Sequence, residues 1–380
     1  MHMTLNLAMR HLLRLTLTIA VLGLTAVPLE AAAAAPSAGT TPSQTQTSPS
    51  TSAPSADAGI SLQETTDAEA RLASHAADLA PWPGNPFSRN SFWNSPLNAH
   101  APVRANSQAY VAELMRQVHD YHPWFNTTSY SVPVYVVGPS QRTRQVKLDT
   151  WGPDLQHAFD AVPIPRSARP AVGTDQSLSI WQPSTNRLWD FWLMRRVKGK
   201  WHARWGGEMD DVSSNPGYFT HAGATANWGA TATGLPLLGG LVTFADLQRG
   251  YINHALAMAL VETQRADWTW PAQRTDGNVF SKGVRTPIPE GMRFRLDPKL
   301  NIAKLNLPPI DAMLAKAAQK YGIVVRDKAG AVVLYGQDPV GKANPWPAAF
   351  DNLYPNNVLA LFPWSHLQAL KSTTSCCWAR

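Results

Sequence analysis

Hydrophobic side chains recur at helical spacing in three parts of the chain. Residues 107–121 carry them every three or four positions, which predicts a first helix. A second helix is predicted from Thr243, a residue type that caps helices, to Gly250, a residue type that ends them. Two prolines precede residues 310–321 and a glycine follows them, and these flanking residues predict the third helix.

The remaining hydrophobic positions form short β patterns separated by turn-forming residues. No repeat of fixed period is visible, which argues against a propeller or a solenoid. Many short strands with a few helices predict a mainly β fold, a single domain resembling a β-sandwich or jelly roll. The predicted strands cover residues 131–137, 145–148, 178–182, 188–195, 201–205, 323–326 and 331–335.

The first eighty residues differ in composition from the rest. Residues 1–35 combine two arginines, an apolar stretch and a run of alanines, a combination typical of a secretory signal peptide. Residues 36–80 are rich in Ser, Thr, Pro and Ala, and are predicted to form a flexible tether because they offer little apolar surface to bury. Residues 81–380 contain all 15 tryptophans and are predicted to form one β-rich domain, secreted to the periplasm or the medium.

Charge and cysteine content exclude several classes of protein. The formal net charge is +7, but the basic residues are scattered, so no nucleic-acid partner is expected. After residue 35 no apolar stretch approaches the ~18 residues of a membrane span, so the mature protein is expected to have none. Cys376 and Cys377 are adjacent, and neighbouring cysteines rarely pair with each other, so a disulfide scaffold is excluded.

Residues 175–211 predict a three-stranded antiparallel meander. Pairing Trp181 with Asp190, and Trp192 with Trp205, places these four side chains and two serines on one face of the sheet. Indole rings pack against the C–H groups of sugars, and a carboxylate accepts hydrogen bonds from sugar hydroxyls. The meander therefore predicts a saccharide-binding face, with Trp181, Trp192 and Trp205 as binding residues. The competing interpretation is that these tryptophans fill a sandwich core.

Four residues are candidates for catalysis. Asp190 lies in a strongly apolar strand, where a carboxylate is costly unless it faces a cleft. Glu208 follows two glycines that permit a bend toward Asp190, so these two are the preferred acid pair. Asp175 qualifies only if its end of the strand curls inward. His254 lies in a largely apolar run and is either a general base or a hydrogen-bonded core residue.

Four further residues are candidates for substrate binding: Arg204, Tyr218, His221 and Arg274. A salt-bridged loop is the alternative role for Arg274. The sequence has no HExxH, no paired CxxC and no Asp-rich calcium loop, so no metal and no other cofactor is predicted. Two aspartates at residues 210–211 leave a calcium ion open as an alternative.

Five short runs have a distinctive sequence: SFWN at 91–94, TGLPLLGGL at 233–241, INHAL at 252–256, WPAQRTDG at 270–277 and YGIVVRD at 321–327. Together they resemble a family of exported bacterial proteins that are rich in tryptophan and β-structure. The resemblance spans about residues 90–340 and implies secretion and one continuous domain, but no particular activity. It adds weight to Asp175, Asp190 and His254 and none to Glu208.

These features predict a secreted carbohydrate-active enzyme. The first hypothesis is a glycoside hydrolase that acts on an extracellular or cell-wall polysaccharide by carboxylate acid/base catalysis. The neighbouring hypothesis is a polysaccharide lyase on a uronate-containing polymer, with Arg204, His202 or His254, and Tyr218 in the active site. From a different class, the domain is a non-catalytic glycan-binding or surface-interaction module. Its size, some 300 residues, favours an enzyme.

The mature protein is expected to begin between Ala32 and Pro36, because the small residues of a signal-peptidase site occupy this stretch. N-terminal sequencing of the exported protein checks this expectation. A cytoplasmic protein that retains Met1 contradicts it.

Overall fold

A computed structural model describes residues 84–220, 228–280, 286–340 and 342–372. The predicted signal peptide and tether, His221 and the two cysteines lie outside the described residues. Within these ranges strands hold more residues than helices, which confirms a mainly β domain with a few helices. None of the helices described here is long and apolar enough to cross a membrane.

Fifteen strands run through the described residues: β1 Pro123–Asn126, β2 Val134–Val136, β3 Val146–Leu148, β4 Leu178–Gln182, β5 Arg187–Trp192, β6 Arg195–Val197, β7 Lys200–Ala203, β8 Trp205–Met209, β9 Leu256–Leu260, β10 Thr263–Trp268, β11 Ile288–Glu290, β12 Arg293–Leu296, β13 Ile323–Lys328, β14 Val332–Tyr335 and β15 Leu367–Ala369. The helices in the same ranges are α1 Ser107–Tyr121, α2 Pro153–Ala158, α3 Phe244–Arg249, α4 Pro309–Lys320, α5 Trp346–Ala349 and α6 Pro355–Val358.

Two larger sheets organise the domain. The six-stranded sheet has the order β1-β14-β9-β13-β12-β15, with parallel pairing of β1 to β14 and of β9 to β13. The four-stranded sheet has the order β2-β4-β5-β8, in which β2 and β4 are parallel and the other neighbours antiparallel. A three-stranded sheet, β3-β7-β6, and a parallel pair, β10-β11, complete the strands.

The six-stranded sheet is covered on both faces. Leu256 and Met258 of β9 pack into a core that also contains apolar side chains of α1 and α4. Ala257 and Ala259, which alternate with them, pack into a second core together with the four-stranded sheet. Strand β9 is therefore buried at every position, as expected for a strand with both faces covered.

Residues 228–242 bridge the two larger sheets. The backbone N–H of Leu237 donates a 2.7 Å hydrogen bond to Asp190 of β5. The guanidinium of Arg326, on β13, donates to the carbonyls of Leu237 and Gly239 at 2.7 and 2.9 Å. Irregular backbone in the interior needs such partners, and here buried side chains of both sheets supply them.

The three helices predicted from sequence are confirmed. Helix α1 has the predicted bounds, and α4 covers all but the last predicted residue. Helix α3 begins with a capping box, in which Thr243 and Asp246 each accept a hydrogen bond from the other's backbone. It ends at Gly250, whose φ of 72° lies in the left-handed region that glycine adopts without strain.

The predicted meander is confirmed in outline and wrong in one register. Strands β4, β5 and β8 pair antiparallel, and Trp192 lies opposite Trp205 as predicted. Ser179, and not Trp181, lies opposite Asp190, because the four-residue turn after β4 brings Gln182 opposite Arg187. The shift is two residues, so every side chain keeps its predicted face.

The predicted strand over residues 188–195 is broken in the structure. Strand β5 ends at Trp192, and Leu193 follows with a φ of 52°. The chain then enters the β6-β7 hairpin, which belongs to the three-stranded sheet, and returns as β8. The predicted strand over residues 201–205 is therefore also wrong, because it is divided between β7 and β8. A left-handed residue ends the pairing and redirects the chain, which alternation of side chains does not reveal.

Substituting Gly240 tests the packing of the bridging segment. Gly240 has a φ of 71°, and a Cβ there would collide with the backbone of Ala257 in β9. We expect Gly240→Ala to lower the free energy of unfolding by about 2 kcal/mol or more, measured by thermal unfolding. Gly330→Ala is the matched control, because Gly330 has open space around the same position. Equal melting temperatures for the two variants would contradict this packing.

Candidate functional site

Two adjoining cavities form a cleft between the six-stranded and four-stranded sheets. The larger cavity has a volume of about 590 Å³ and the smaller about 310 Å³, sizes that suit small-molecule or oligomeric ligands. Both cavities share one wall, so they are two parts of the same cleft. The shared wall is formed by Asp175, Ser177, Leu237, Asp327 and Lys328.

Two of the three predicted binding tryptophans reach this cleft. Trp192 of β5 and Trp205 of β8 lie directly opposite each other and line the smaller cavity, where both are partly exposed. Trp181 is only 5% exposed and packs in the core. The core interpretation therefore holds for Trp181, whereas Trp192 and Trp205 present indole surface to the smaller cavity.

Asp190 lies beneath the cleft and not on its floor. Its side chain is fully buried and accepts hydrogen bonds from the Ser179 hydroxyl and the Leu237 backbone N–H. Leu237 itself lines both cavities, so it separates Asp190 from the open space. Burial raises the pKa of Asp190 to about 6, although the two hydrogen bonds and the charge of Arg326 oppose the shift.

Glu208 does not form the predicted acid pair with Asp190. Strand β8 continues without a bend through Gly206 and Gly207, so Glu208 lies opposite Trp189 on the other face of the sheet. There it forms a 3.2 Å ion pair with Arg187. The two glycines serve close packing: a side chain on Gly207 would collide with the ring of Phe219.

His254 belongs to the hydrogen-bonded core around the start of α3. Its Nε2 lies 3.2 Å from Asp246 Oδ2, and its Nδ1 lies 2.8 Å from the carbonyl of Ala255. Burial by itself would lower the pKa of His254, but the Asp246 carboxylate raises it above its usual value. His254 lines a separate cavity of only about 10 Å³ beside Trp93, so it does not meet the cleft there.

The other predicted residues divide between the cleft and the surface around it. Asp175 is exposed and lines both cavities. Arg274 lines the smaller cavity, and its guanidinium donates to backbone carbonyls of residues 228–232. Neither Arg204 nor Tyr218 is among the described residues that line the two cavities.

The sequence analysis missed a cluster of three acids at the cleft, which we call the acid cluster: Asp276, Glu290 and Asp327. One carboxylate oxygen from each residue lies within 4.8 Å of the others. Asp327 lines both cavities and Asp276 lines the smaller one, while Glu290 is fully buried behind them. The Asp276 backbone N–H donates to Glu290 Oε2 at 3.2 Å, and the Lys328 ammonium lies 3.3 Å from the Asp276 carboxylate.

A β-bulge helps to place Asp327. In the parallel pair of β13 and β9, Val325 lies opposite Met258 and Asp327 lies opposite Ala259, so Arg326 is an extra residue. At the bulge, two consecutive side chains make different contacts. Arg326 donates hydrogen bonds to carbonyls of the segment 228–242, and Asp327 lines the cleft. Bulges commonly redirect side chains beside active sites in this way.

Two acids of the cluster, Asp327 and Glu290, hold their protons more tightly than isolated acids do. Burial raises the pKa of Asp327 to about 7, and the negative charge of Asp276 adds to the shift while Arg326 opposes it. Burial also raises the pKa of Glu290 well above its usual range, reinforced by the charges of Asp327 and Asp276. Near neutral pH the cluster therefore holds both protonated and ionised carboxyl groups.

Three close carboxylates are also a donor set that suits a hard divalent cation. In this cluster the Lys328 ammonium already pairs with Asp276, and Arg274 lies close enough to Asp327 and Glu290 to interact with their charges. Bound protons and these two cationic groups neutralise the cluster without a metal ion. The same three oxygens are also placed to bind a divalent cation, which would release those protons.

Comparison of the chain with protein-family models, with curated proteins and with solved structures finds no match. A functional argument therefore rests on the chemistry of the cleft. That chemistry consists of the acid cluster, the two tryptophans of the smaller cavity, and the exposed Asp175 on the shared wall.

Substitutions of Asp190 separate a structural role from a catalytic one. Asp190→Ala leaves the Leu237 N–H without its acceptor, so we expect it to lower the unfolding free energy by about 1–3 kcal/mol. Asp190→Asn accepts from Leu237 and donates to Ser179, so it should melt close to the native protein. Asp175→Ala, at an exposed position, is the stability control. Near-native melting of Asp190→Ala would contradict the structural role.

The same variants test the pKa of Asp190. Its folded pKa of about 6 exceeds the ordinary value of 3.8, so its contribution to stability is complete below about pH 4 and is lost as the pH rises through 6. Asp190→Asn does not titrate, so the melting temperature of the native protein should fall relative to this variant between about pH 4 and pH 7. Parallel pH profiles for the two proteins would show that the pKa is not raised.

Proposed function

We propose that the protein is a secreted glycoside hydrolase that cleaves an extracellular or cell-wall polysaccharide in the cleft between its two larger sheets. One observation carries the proposal: the acid cluster opens onto a cavity that two partly exposed tryptophans also line. Glycosidic bonds are cleaved by carboxyl pairs, and sugar rings bind to indole faces. The catalytic acids are thus other residues than Asp190 and Glu208, but the type of chemistry is the one that the sequence predicts.

Asp327 is the general acid of this proposal. It faces the cleft, and its raised pKa of about 7 leaves about half of the molecules protonated there at neutral pH. Asp276 is the nucleophile of this proposal, because it is exposed, lines the smaller cavity and pairs with the Lys328 ammonium. Glu290 retains its proton, so it adds no second negative charge beside Asp276.

The spacing of the acids supports a two-step reaction. Retaining glycosidases hold their carboxyl groups ~5–5.5 Å apart and inverting ones ~6.5–9.5 Å, and the 4.8 Å limit between one oxygen of each acid in the cluster lies nearer the retaining distance. Asp327 gives its proton to the glycosidic oxygen as the C–O bond breaks, and an Asp276 oxygen bonds the anomeric carbon. Water then attacks this carbon, returns a proton to Asp327 and releases Asp276.

The cleft offers little to the uronate polymer that a lyase would take. The guanidinium groups of Arg274 and Arg326 are held by backbone carbonyls, and Lys328 is paired with Asp276. His202, a base in the lyase hypothesis, pairs with Asp149 at 2.7 Å on the three-stranded sheet. A purely binding module has no need for buried acids of raised pKa, which destabilise the fold, so the enzyme hypothesis is preferred.

The proposal is tested with a panel of soluble β-glucan, xylan, mannan and polygalacturonate. We expect new reducing ends from a neutral polymer without the ultraviolet absorbance of an unsaturated product, and no loss of activity in a metal chelator. Asp327→Asn and Asp276→Asn should each lower kcat/KM by ~10²-fold or more. Asp351→Asn, an exposed substitution of the same type, should have no effect.

The pH dependence supplies a second readout. Activity should fall as the pH rises above about 7, because Asp327 then loses the proton that it donates. Full activity of Asp327→Asn, or activity that disappears with the chelator, would overturn the assignment of the acid cluster. Absence of cleavage across the whole panel would contradict the enzyme proposal itself.

A further inference from the structure

We infer that the larger cavity is a second sugar-binding region, built on Trp124 and Tyr130, and that a neutral polysaccharide crosses both cavities and is cleaved within the chain. The inference rests on the proposed function and adds the binding mode and the class of substrate. None of the sequence patterns marked either residue, because both lie outside the 175–211 meander.

Two large aromatic side chains in the larger cavity are exposed without serving the core. Trp124 is 39% and Tyr130 45% exposed, and both line this cavity. On β1 Trp124 is the exposed residue, whereas its neighbour Phe125 is fully buried. A single exposed aromatic residue is ordinary, but two that line one cavity indicate a binding surface.

The backbone that carries the Tyr130 ring is held in place. Its backbone has a φ of 50°, a region that bulky residues rarely occupy and that recurs at ligand sites. Two main-chain hydrogen bonds fix it: its N–H donates to Val172 at 2.7 Å, and its carbonyl accepts from the Asn126 amide at 3.0 Å. The ring packs against Gly173, where a Cβ would lie 2.8 Å from it.

Asp327 of the acid cluster lies between the two aromatic pairs. Asp327 is on the wall that both cavities share, with Trp124 and Tyr130 in one cavity and Trp192 and Trp205 in the other. A chain bound to both pairs therefore places an internal glycosidic bond beside the general acid. The volumes of about 590 and 310 Å³ each accommodate a ligand of small-molecule size, so the cleft holds more than one sugar residue.

The charges in the larger cavity favour a neutral polymer. Asp175 and Asp327 supply carboxyl groups, Lys328 is engaged by Asp276, and Arg326 is only 1% exposed. A uronate chain would lie beside these carboxyl groups, and none of the lining residues named here offers it an available cationic group. Serine hydroxyls and the amide of Asn126 complete a lining that suits sugar hydroxyls.

Binding is measured by affinity electrophoresis of the full chain in gels that contain each polymer of the panel. All variants carry Asp327→Asn, so that cleavage does not remove the ligand. We expect Trp124→Ala and Tyr130→Ala each to weaken binding of one neutral polymer by roughly 3- to 10-fold, the scale of a lost aromatic contact. Trp151→Ala, at a 75% exposed tryptophan outside both cavities, should bind like the parent.

The binding and cleavage results together decide whether the second sugar-binding region exists. If Trp192→Ala weakens binding while Trp124→Ala and Tyr130→Ala do not, or if no neutral polymer binds, the second region is wrong. If Trp124→Ala and Tyr130→Ala weaken binding but the native protein cleaves nothing, the second sugar-binding region is supported and the hydrolase proposal fails. In active protein, early products of intermediate length support internal cleavage, whereas release of single sugars from the start contradicts it.

Discussion

The domain depends on two buried side chains, one acidic and one basic, that hydrogen-bond to the same stretch of backbone. Asp190 accepts from the Leu237 N–H, and Arg326 donates to the Leu237 and Gly239 carbonyls. A buried charge without a partner costs several kcal/mol, so neither sheet tolerates loss of residues 228–242 from this place. Leu237 in turn forms the wall common to both cavities, so the cleft exists because these bonds hold the sheets around the segment.

Burial raises the pKa of several acids in this domain, and what each faces decides its role. Asp190 is enclosed by donors and has no open space before it, so its hydrogen bonds serve structure. Asp327 receives backbone donors on one oxygen and opens onto the cleft with a proton available near neutral pH. A raised pKa alone therefore does not identify a catalytic acid; access to a cavity and a nearby ionised partner do.

The sequence reveals what depends on neighbours along the chain. The helices, the capping box at Thr243 and the faces of the meander follow from local spacing, and they are confirmed. The sequence marks Asp190 as an unusual acid, but Leu237, which separates it from the cleft, lies 47 positions away along the chain. The acid cluster joins residues from three separate segments, and a bulge in β13 sets the direction of one of them, which no periodicity reveals. Glu290 and Asp327 each follow apolar residues in a strand, which is the local pattern that also marks Asp190.

The cleft combines features that oppose stability with features that only a ligand would use. Placing Glu290 and Asp327 close together in a desolvated site destabilises the fold unless protons or Lys328 neutralise them. Holding Tyr130 at positive φ, with its ring exposed, adds a further cost and no core packing in return. Local conflicts of this kind concentrate at functional sites, because selection for ligand binding or catalysis maintains them against stability. Both conflicts lie along one cleft here, which is the physical reason to regard its two cavities as a single site.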